Sequence, residues 1–511
     1  MRCAYAFLRL VWGPAGMLAL PIVYQQSGWL LPSIVLILVY GCSSLCGTFL
    51  CDTIARVPGN AKFDERVEFE TVFHIFLGPR WGTMAQVMFV ICLMSQCMAS
   101  IIDTAQVVDG FVVYCFGTTY GLEVLPEPRF RSWSISECDR VTNNYCTPFQ
   151  DGDVSVILTV GYAALTLLVL PMGCMNLDEN ITIQIISFVM LCILTTVFIV
   201  NYCYVGLEFH RVPMINGDID TFSSALGTVV FNYAYIILLP SWVNEKKPEV
   251  SVNKTIWFSS GFATVMYILM GWLGAAAFPK VNANPNPNPN PNPNPNPSPK
   301  VNANVLDVLV SPHLPPGIDV SHGWHQFIQV CAMLFAIGII GLGIPVFCIM
   351  MRYNLIVARV ASPNMALFWG NIAPYLVAWL LYQGDLSETL IEWTGNTNNA
   401  VINFLAPLVL TIVALGTLQA DPSGEQIPLQ AVRQEPPKGV GAPHGCGFCA
   451  PPARPGDDLE GCDVDLAGAT SEVEPVPAWA AAYQREIAML VLLILGPLTI
   501  FGAAFSIKQL V

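Results

Sequence analysis

Apolar residues in this chain gather into runs too long for an ordinary soluble core, at about 3–27, 29–51, 82–116, 153–173, 181–206, 222–242, 255–278, 325–350, 365–383, 400–418 and 484–506. A helix needs about 20 mostly apolar residues to cross a bilayer, whereas a spanning strand needs about ten with strict alternation. These runs are apolar at nearly every position, so they read as about eleven transmembrane helices in an all-α, polytopic membrane protein whose first partner is the lipid bilayer. The charge supply agrees. Only 11% of residues are charged, against roughly 25% in a soluble domain. A net charge of -14 also argues against a nucleic-acid partner, which is gripped mainly by Lys and Arg.

The spans divide the chain into 1–278 (helices one to seven), a 279–324 external loop, 325–418 (helices eight to ten), a 419–481 cytoplasmic loop, and 482–511 (helix eleven). The run from Met1 imitates a signal peptide, but Arg9 interrupts it and many spans follow, so it is read as a span. With the N-terminus inside, the 22 basic residues divide fifteen to seven in favour of the cytoplasmic side, the bias expected of short loops.

Two loops stand apart from this background. The run from Asn284 to Pro299 alternates Asn and Pro with one Ser, offers no apolar face, and predicts an extended external spacer. The 420–480 stretch, rich in Pro, Gly and acidic residues, predicts disorder. Its His444, Cys446, Cys449 and Cys462 are metal-ligand types, but no hydrophobic support surrounds them, so no metal and no cofactor is expected. Cys138 and Cys146 lie eight positions apart in the outer loop between spans three and four; a disulfide and a pair of free thiols both remain open.

Polar or helix-breaking residues at membrane depth mark functional sites. In span one, Trp12-Gly13-Pro14-Ala15-Gly16-Met17-Leu18-Ala19-Leu20-Pro21 crowds two glycines and two prolines into one helix. Proline removes a backbone donor and glycine tolerates unwinding. The freed N–H and C=O groups can hold the carboxylate and amine of a zwitterion. Span six offers the counterpart: Gly227 to Tyr235 precedes Leu239-Pro240, with Asn232 the lone amide. Paired breaks five spans apart point to an inverted-repeat transporter with its substrate near the midplane. The candidate substrate-binding residues are therefore Gly13, Pro14, Ala15, Gly16, Met17, Phe231, Asn232, Tyr233 and Ala234. Asn403, in the tenth window, is expected to lie outside this pair.

In span three, Gln96, Ser100, Asp103, Gln106 and Gly110 fall on one helical stripe that should face the bundle. Asp103 is the candidate proton carrier, with a packing role as the alternative; Asp109, nearer the outer boundary, is expected to be hydrated. No His-Glu-x-x-His motif is present and no histidine falls deep in a span, so the chain is not read as an enzyme.

At these residues the chain resembles the amino acid/auxin permease family. Gly13 to Pro21 followed by Ser27-Gly28-Trp29 resembles that family's first span. Gly227 to Phe231, Leu239-Pro240 and Asn244-Glu245-Lys246-Lys247-Pro248 resemble its sixth span and basic exit. Gly271 to Phe278, resuming at Asn304-Val305-Leu306, is similar to the seventh-span exit, and Ile344-Pro345-Val346-Phe347 with Arg352 and Asn354-Leu355 to the eighth. The resemblance implies a LeuT-type fold, five helices plus five inverted, with discontinuous helices one and six and one extra helix. It implies alternating access for a small neutral amino acid at the plasma membrane or a vacuolar or endosomal membrane. Sodium-coupled members resemble one another in a hydroxyl residue just before the eighth-span proline; here the stretch reads Gly341-Leu342-Gly343-Ile344-Pro345. Proton coupling or facilitated passage is therefore expected rather than sodium symport. The rival reading is an amino acid sensor that binds at the same place with little flux.

Overall fold

The computed structural model describes residues 14–57, 60–63, 65, 67–125, 127–134, 156–216, 219–278, 305–310, 320–358, 360–382, 395–420 and 483–510. Gly13, the Cys138/Cys146 pair, the Asn-Pro run and His444, Cys446, Cys449 and Cys462 lie outside the described residues.

Every apolar window carries helix. In chain order these are α1 (Pro14–Ser27), α2 (Leu30–Ala55), a short amphipathic α3 (Phe69–Leu77) and α4 (Pro79–Phe116). Then come α5 (Val160–Val169), ending in a tight turn at Leu170–Cys174, and α6 (Leu177–Val205). Span six is split into α7 (Ile219–Asn232) and α8 (Leu239–Glu245); α9 (Val252–Ala277) and the short α10 (Val305–Val310) follow. Span eight comprises α11 (His322–Phe335), a π-helical segment Ala336–Gly341 and α12 (Leu342–Val357). Span nine is α13 (Pro363–Leu367), a π segment Phe368–Ile372 and α14 (Ala373–Leu380). Span ten begins with π segments Gly395–Asn399 and Val401–Leu405 and continues as α15 (Ala406–Ala420); α16 is Gln484–Leu510.

Among the described residues, seven helical stretches are long and apolar enough to cross a bilayer: Leu30–Ala55, Pro79–Phe116, Glu179–Val205, Ala225–Asn244, Val252–Ala277, His322–Val357 and Thr397–Gly416. The chain is an integral, multi-pass membrane protein. The boundaries have local causes. Pro79 sits in the first turn of α4, where its missing N–H costs nothing. Thr159 caps α5 by accepting from Tyr162 N at 3.0 Å, and Asn176 with Glu179 forms a capping box on α6.

The helices pack in a pattern that relates the two halves. α1 lies against α7, α2 against α9, and α4 against the π segment of span eight and α12. The turn after α5 meets the π segment of span nine. Elements five spans apart thus meet in pairs, the arrangement expected of two inverted halves wrapped about an approximate two-fold axis. At the centre, α1 is pressed on α9 so closely that a Cβ on Gly274 would stand 2.8 Å from the Pro21 ring.

One element departs from a purely helical reading. Three strands, β1 (Thr118–Leu125), β2 (Arg129–Ser134) and β3 (Val156–Thr159), form an antiparallel sheet in the order β2-β1-β3 between the end of α4 and the start of α5.

Candidate functional site

The break expected in span six is present. α7 ends at Asn232, the chain turns through Tyr233–Tyr235 and a 3-10 turn at Ile236–Leu238, and α8 starts at Leu239 with Pro240 in its first turn. A helix C-terminus leaves four carbonyls without helical partners, and carbonyls at and just before this end find other donors. Thr228 O accepts from Asn232 Nδ2 at 2.8 Å; Val230 O and Phe231 O accept from Tyr233 N and Ala234 N, both at 3.2 Å; Asn232 O accepts from Tyr267 Oη at 3.3 Å. Past the turn, Ile237 N donates to Asn403 Oδ1 at 3.2 Å, while Asn403 Nδ2 donates to Asn399 O at 3.1 Å.

Asn403 therefore holds the unwound segment from span ten. Asn403 lies in a span outside the core pair, as expected, yet it touches the break in span six; the contact joins residues 166 apart in sequence, and no local pattern announces it.

Span one meets this junction directly. α1 runs as one helix from Pro14 to Ser27, through Pro21, so among the described residues span one is unbroken. Gly16 is buried against the Asn232 side chain: a Cβ added at Gly16 would stand 2.5 Å from Asn232 Oδ1 and 2.9 Å from Nδ2. Only glycine lets the backbone of α1 approach the amide this closely. Asn232 is 3% exposed, and its Oδ1 has no hydrogen-bond partner. An orphaned buried acceptor costs about 1–3 kcal/mol and is rare enough to require an explanation. Met17 and Tyr233 are fully buried, and Tyr233 Oη is fixed by Thr264 Oγ1 at 2.5 Å. Phe231 and Ala234 are half-buried, and Pro14 and Ala15 lie in the first described turn of α1. A separate small cavity of about 10 Å³ between α6, α9, α10 and α11, walled by Asn201, Phe278, Trp324 and His325 among others, shares no residue with this junction.

The polar stripe of α4 is placed less uniformly than expected. Ser100 is buried, while Gln96, Asp103, Gln106 and Gly110 are half-buried. Asp109 contradicts its expected hydration, being only 3% exposed. Its Oδ1 accepts from Gly161 N at 2.7 Å and Thr119 Oγ1 at 3.5 Å, and its Oδ2 from Tyr382 Oη at 3.1 Å. Position near a helix end exposes a carboxylate only where nothing packs over it; here α5 and Tyr382 do.

The span-eight stretch without a hydroxyl has its own donors. Gln184 Nε2 of α6 donates to Leu342 O at 2.9 Å, and Ser187 Oγ to Gly338 O at 3.1 Å. Two carbonyls in and next to the π segment are thereby engaged from within the protein.

At the α8 end, two carboxylates close the junction. Glu68, 1% exposed, accepts from Ser241 Oγ at 2.6 Å and Asn244 Nδ2 at 3.2 Å, both on α8. Glu70 on α3 accepts from Asn354 Nδ2 of α12 and from Thr71 Oγ1 at 2.8 Å. Burial, with the Glu68 charge nearby, pushes the Glu70 carboxyl up to about 7.

With this geometry in place, the sequence model described as transmembrane amino acid transporter protein matches residues 13–282. Those residues include α1, the span-six break and α9. The chain is similar to the amino acid transporter AVT3A of Arabidopsis thaliana, 21% identical over 264 residues, which cover 52% of this chain and 54% of that one. The chain spans about half the length of the curated relative it matches. Among solved structures it is similar to a manganese transporter of Eremococcus coleocola, crystallised with an aromatic bis-isothiourea substituted compound. There the identity is 11% and the TM-score 0.45, over 99% of this chain and 94% of that one. Two variants of that transporter give 12% identity with TM-scores of 0.39 and 0.40.

Proposed function

The chain belongs to the transmembrane amino acid transporter protein family, a family of carriers and not of enzymes, and from that premise we propose that it moves small neutral amino acids across its membrane by alternating access. The observation that carries this reading is the orphaned Oδ1 of Asn232, buried against the bare backbone of Gly16 at the break in span six. A carboxamide oxygen at a helix C-terminus, where the helix dipole is negative, suits the ammonium group of an amino acid. Backbone N–H groups near Gly13 to Gly16 hold the carboxylate. Phe231, Tyr233, Ala234 and Met17 surround the junction with uncharged groups, which suits a short, uncharged side chain and offers nothing to pair with a charged one.

Alternating access follows from the break. α7 and α8 are separate rods joined by a turn, so each can pivot with its own side of the protein. α8 is tied to the cytoplasmic loop through Glu68, whereas α7 is packed on α1. Opening inward releases the first contact and opening outward loosens the second.

Coupling is to protons or absent. A sodium site between span one and span eight needs free hard oxygens. Gly341 to Pro345 supplies no hydroxyl, and Gln184 and Ser187 already donate to the neighbouring carbonyls. Asp103 is the proton-coupling candidate within the bundle.

The test is uptake into proteoliposomes holding the full chain. Radiolabelled alanine or serine is expected to enter saturably, with lysine and glutamate poor competitors, and replacing sodium with choline should change nothing. Sodium-dependent uptake would refute the coupling assignment. Binding without flux would favour the sensor reading.

A further inference from the structure

The three-stranded sheet presents its two faces in the reverse of the usual order. A sheet packed on a protein by one face normally turns charged residues to water and apolar ones inward. Here Glu123 is fully buried on the protein-facing side, its Oε2 paired with Arg129 and, at 2.8 Å, with Arg131 Nε. Thr119, Trp133 and Ile157 are buried on that same side. The opposite face is exposed and apolar. Leu122 pairs with Phe130 on one strand and Leu158 on the other, so the three form a continuous row, with Tyr120 and Val124 to either side on β1. Phe130 is 85% exposed and Tyr120 56%. A one-residue slip in register would have turned the charges outward. The register observed holds the apolar set out.

We propose that this face rests in the outer leaflet of the bilayer, with Phe130, Leu122 and Leu158 against lipid and Tyr120 at headgroup level. The occupant follows from continuity with the membrane-facing surface. β1 begins one residue after α4 ends, across Gly117, whose φ of +76° reverses the chain, and β3 runs straight into α5. Among the described residues, neither the α4–β1 nor the β3–α5 junction has a linker that could lift the sheet clear of the membrane. The last turns of α4 expose Phe111, Tyr114 and Phe116, and α5 exposes Val160, Leu167 and Leu168, so the apolar row extends a lipid-facing surface already in place. Aromatic rings at this level are the usual interfacial anchors. The charged trio Glu123, Arg129 and Arg131 on the other face sets the depth at the interface rather than in the hydrocarbon.

The experiment places the photo-crosslinking residue p-benzoylphenylalanine at Phe130 in the full chain, reconstituted in phosphatidylcholine liposomes and irradiated, with the same probe at Glu127 in the β1–β2 turn as control. Mass spectrometry is expected to find about tenfold more phospholipid adduct at 130 than at 127, as apolar contact at the acyl boundary demands. If the Phe130 variant does not assemble, Tyr120 carries the probe under the same criterion. Crosslinks to a second copy of the chain or to another protein, or equal lipid yields at both positions, would overturn the proposal.

Discussion

At the scale of single residues, the site reduces to one amide and one missing methyl group. Replacing Gly16 with Ala would drive a Cβ to within 2.5 Å of Asn232 Oδ1, so the amide must leave the position where substrate meets it. Asn232→Ala removes the acceptor itself. Its expected effect is a loss of about tenfold or more in amino acid affinity, one hydrogen bond to a charged group being worth about 1.5–3 kcal/mol, with a loss of thermal stability limited to the single Asn232 Nδ2 bond to Thr228 O, about 0.5–1.5 kcal/mol. Isothermal titration with alanine checks this. Asn403→Ala should behave differently, since it leaves Ile237 N unsatisfied in the unwound segment. It is expected to cost about 1–3 kcal/mol of stability, read as a lower unfolding temperature in detergent, and to lower transport with it. Asn232 could be picked out in the sequence as the lone amide beside a Gly-Thr run and a proline. Asn403 could not, because its role depends on which element span ten packs against. Asp109 misled for the same reason: hydropathy locates a carboxylate along a helix but does not show that Gly161 and Tyr382 cover it.

At the scale of elements, the break in span six is written in Gly227 to Pro240, and it appears there. The π segments in spans eight, nine and ten are not written in any local motif; they depend on partners such as Gln184 and Ser187 reaching from another helix. The sheet was concealed between two apolar windows, although Tyr120-Gly121-Leu122-Glu123-Val124 does alternate with the period of a strand. The clasp at the α8 end lends itself to titration. Glu70 has its carboxyl raised to about 7, above the usual unfolded value of about 4.3. The folded state then binds this proton more tightly than the unfolded state does. The stability it contributes is full below the unfolded value and is lost as pH rises toward 7. Thermal melts of the wild type should therefore weaken between about pH 4.5 and 7, and Glu70→Gln, which keeps an acceptor for Asn354 and cannot ionise, should flatten that slope. An unchanged slope would remove Glu70 as its source.

At the scale of the whole molecule, the eleven apolar windows dictate a helical membrane protein before any contact is known. Pairwise packing of elements five spans apart then brings the start of α1 to the break in span six. What the sequence leaves open is how tightly they meet: α1 and the end of α7 touch through Gly16 and Asn232 with no spacer, so substrate entry must part them. The most direct measurement is the rate of alanine uptake into proteoliposomes by the wild-type chain beside Gly16→Ala, with both proteins shown to be equally folded by their melting curves. The account predicts saturable uptake by the wild type and a fall to the level of protein-free vesicles for the variant. Saturable uptake at the same rate by both would contradict it, because the contact between α1 and Asn232 could not then be where the amino acid binds.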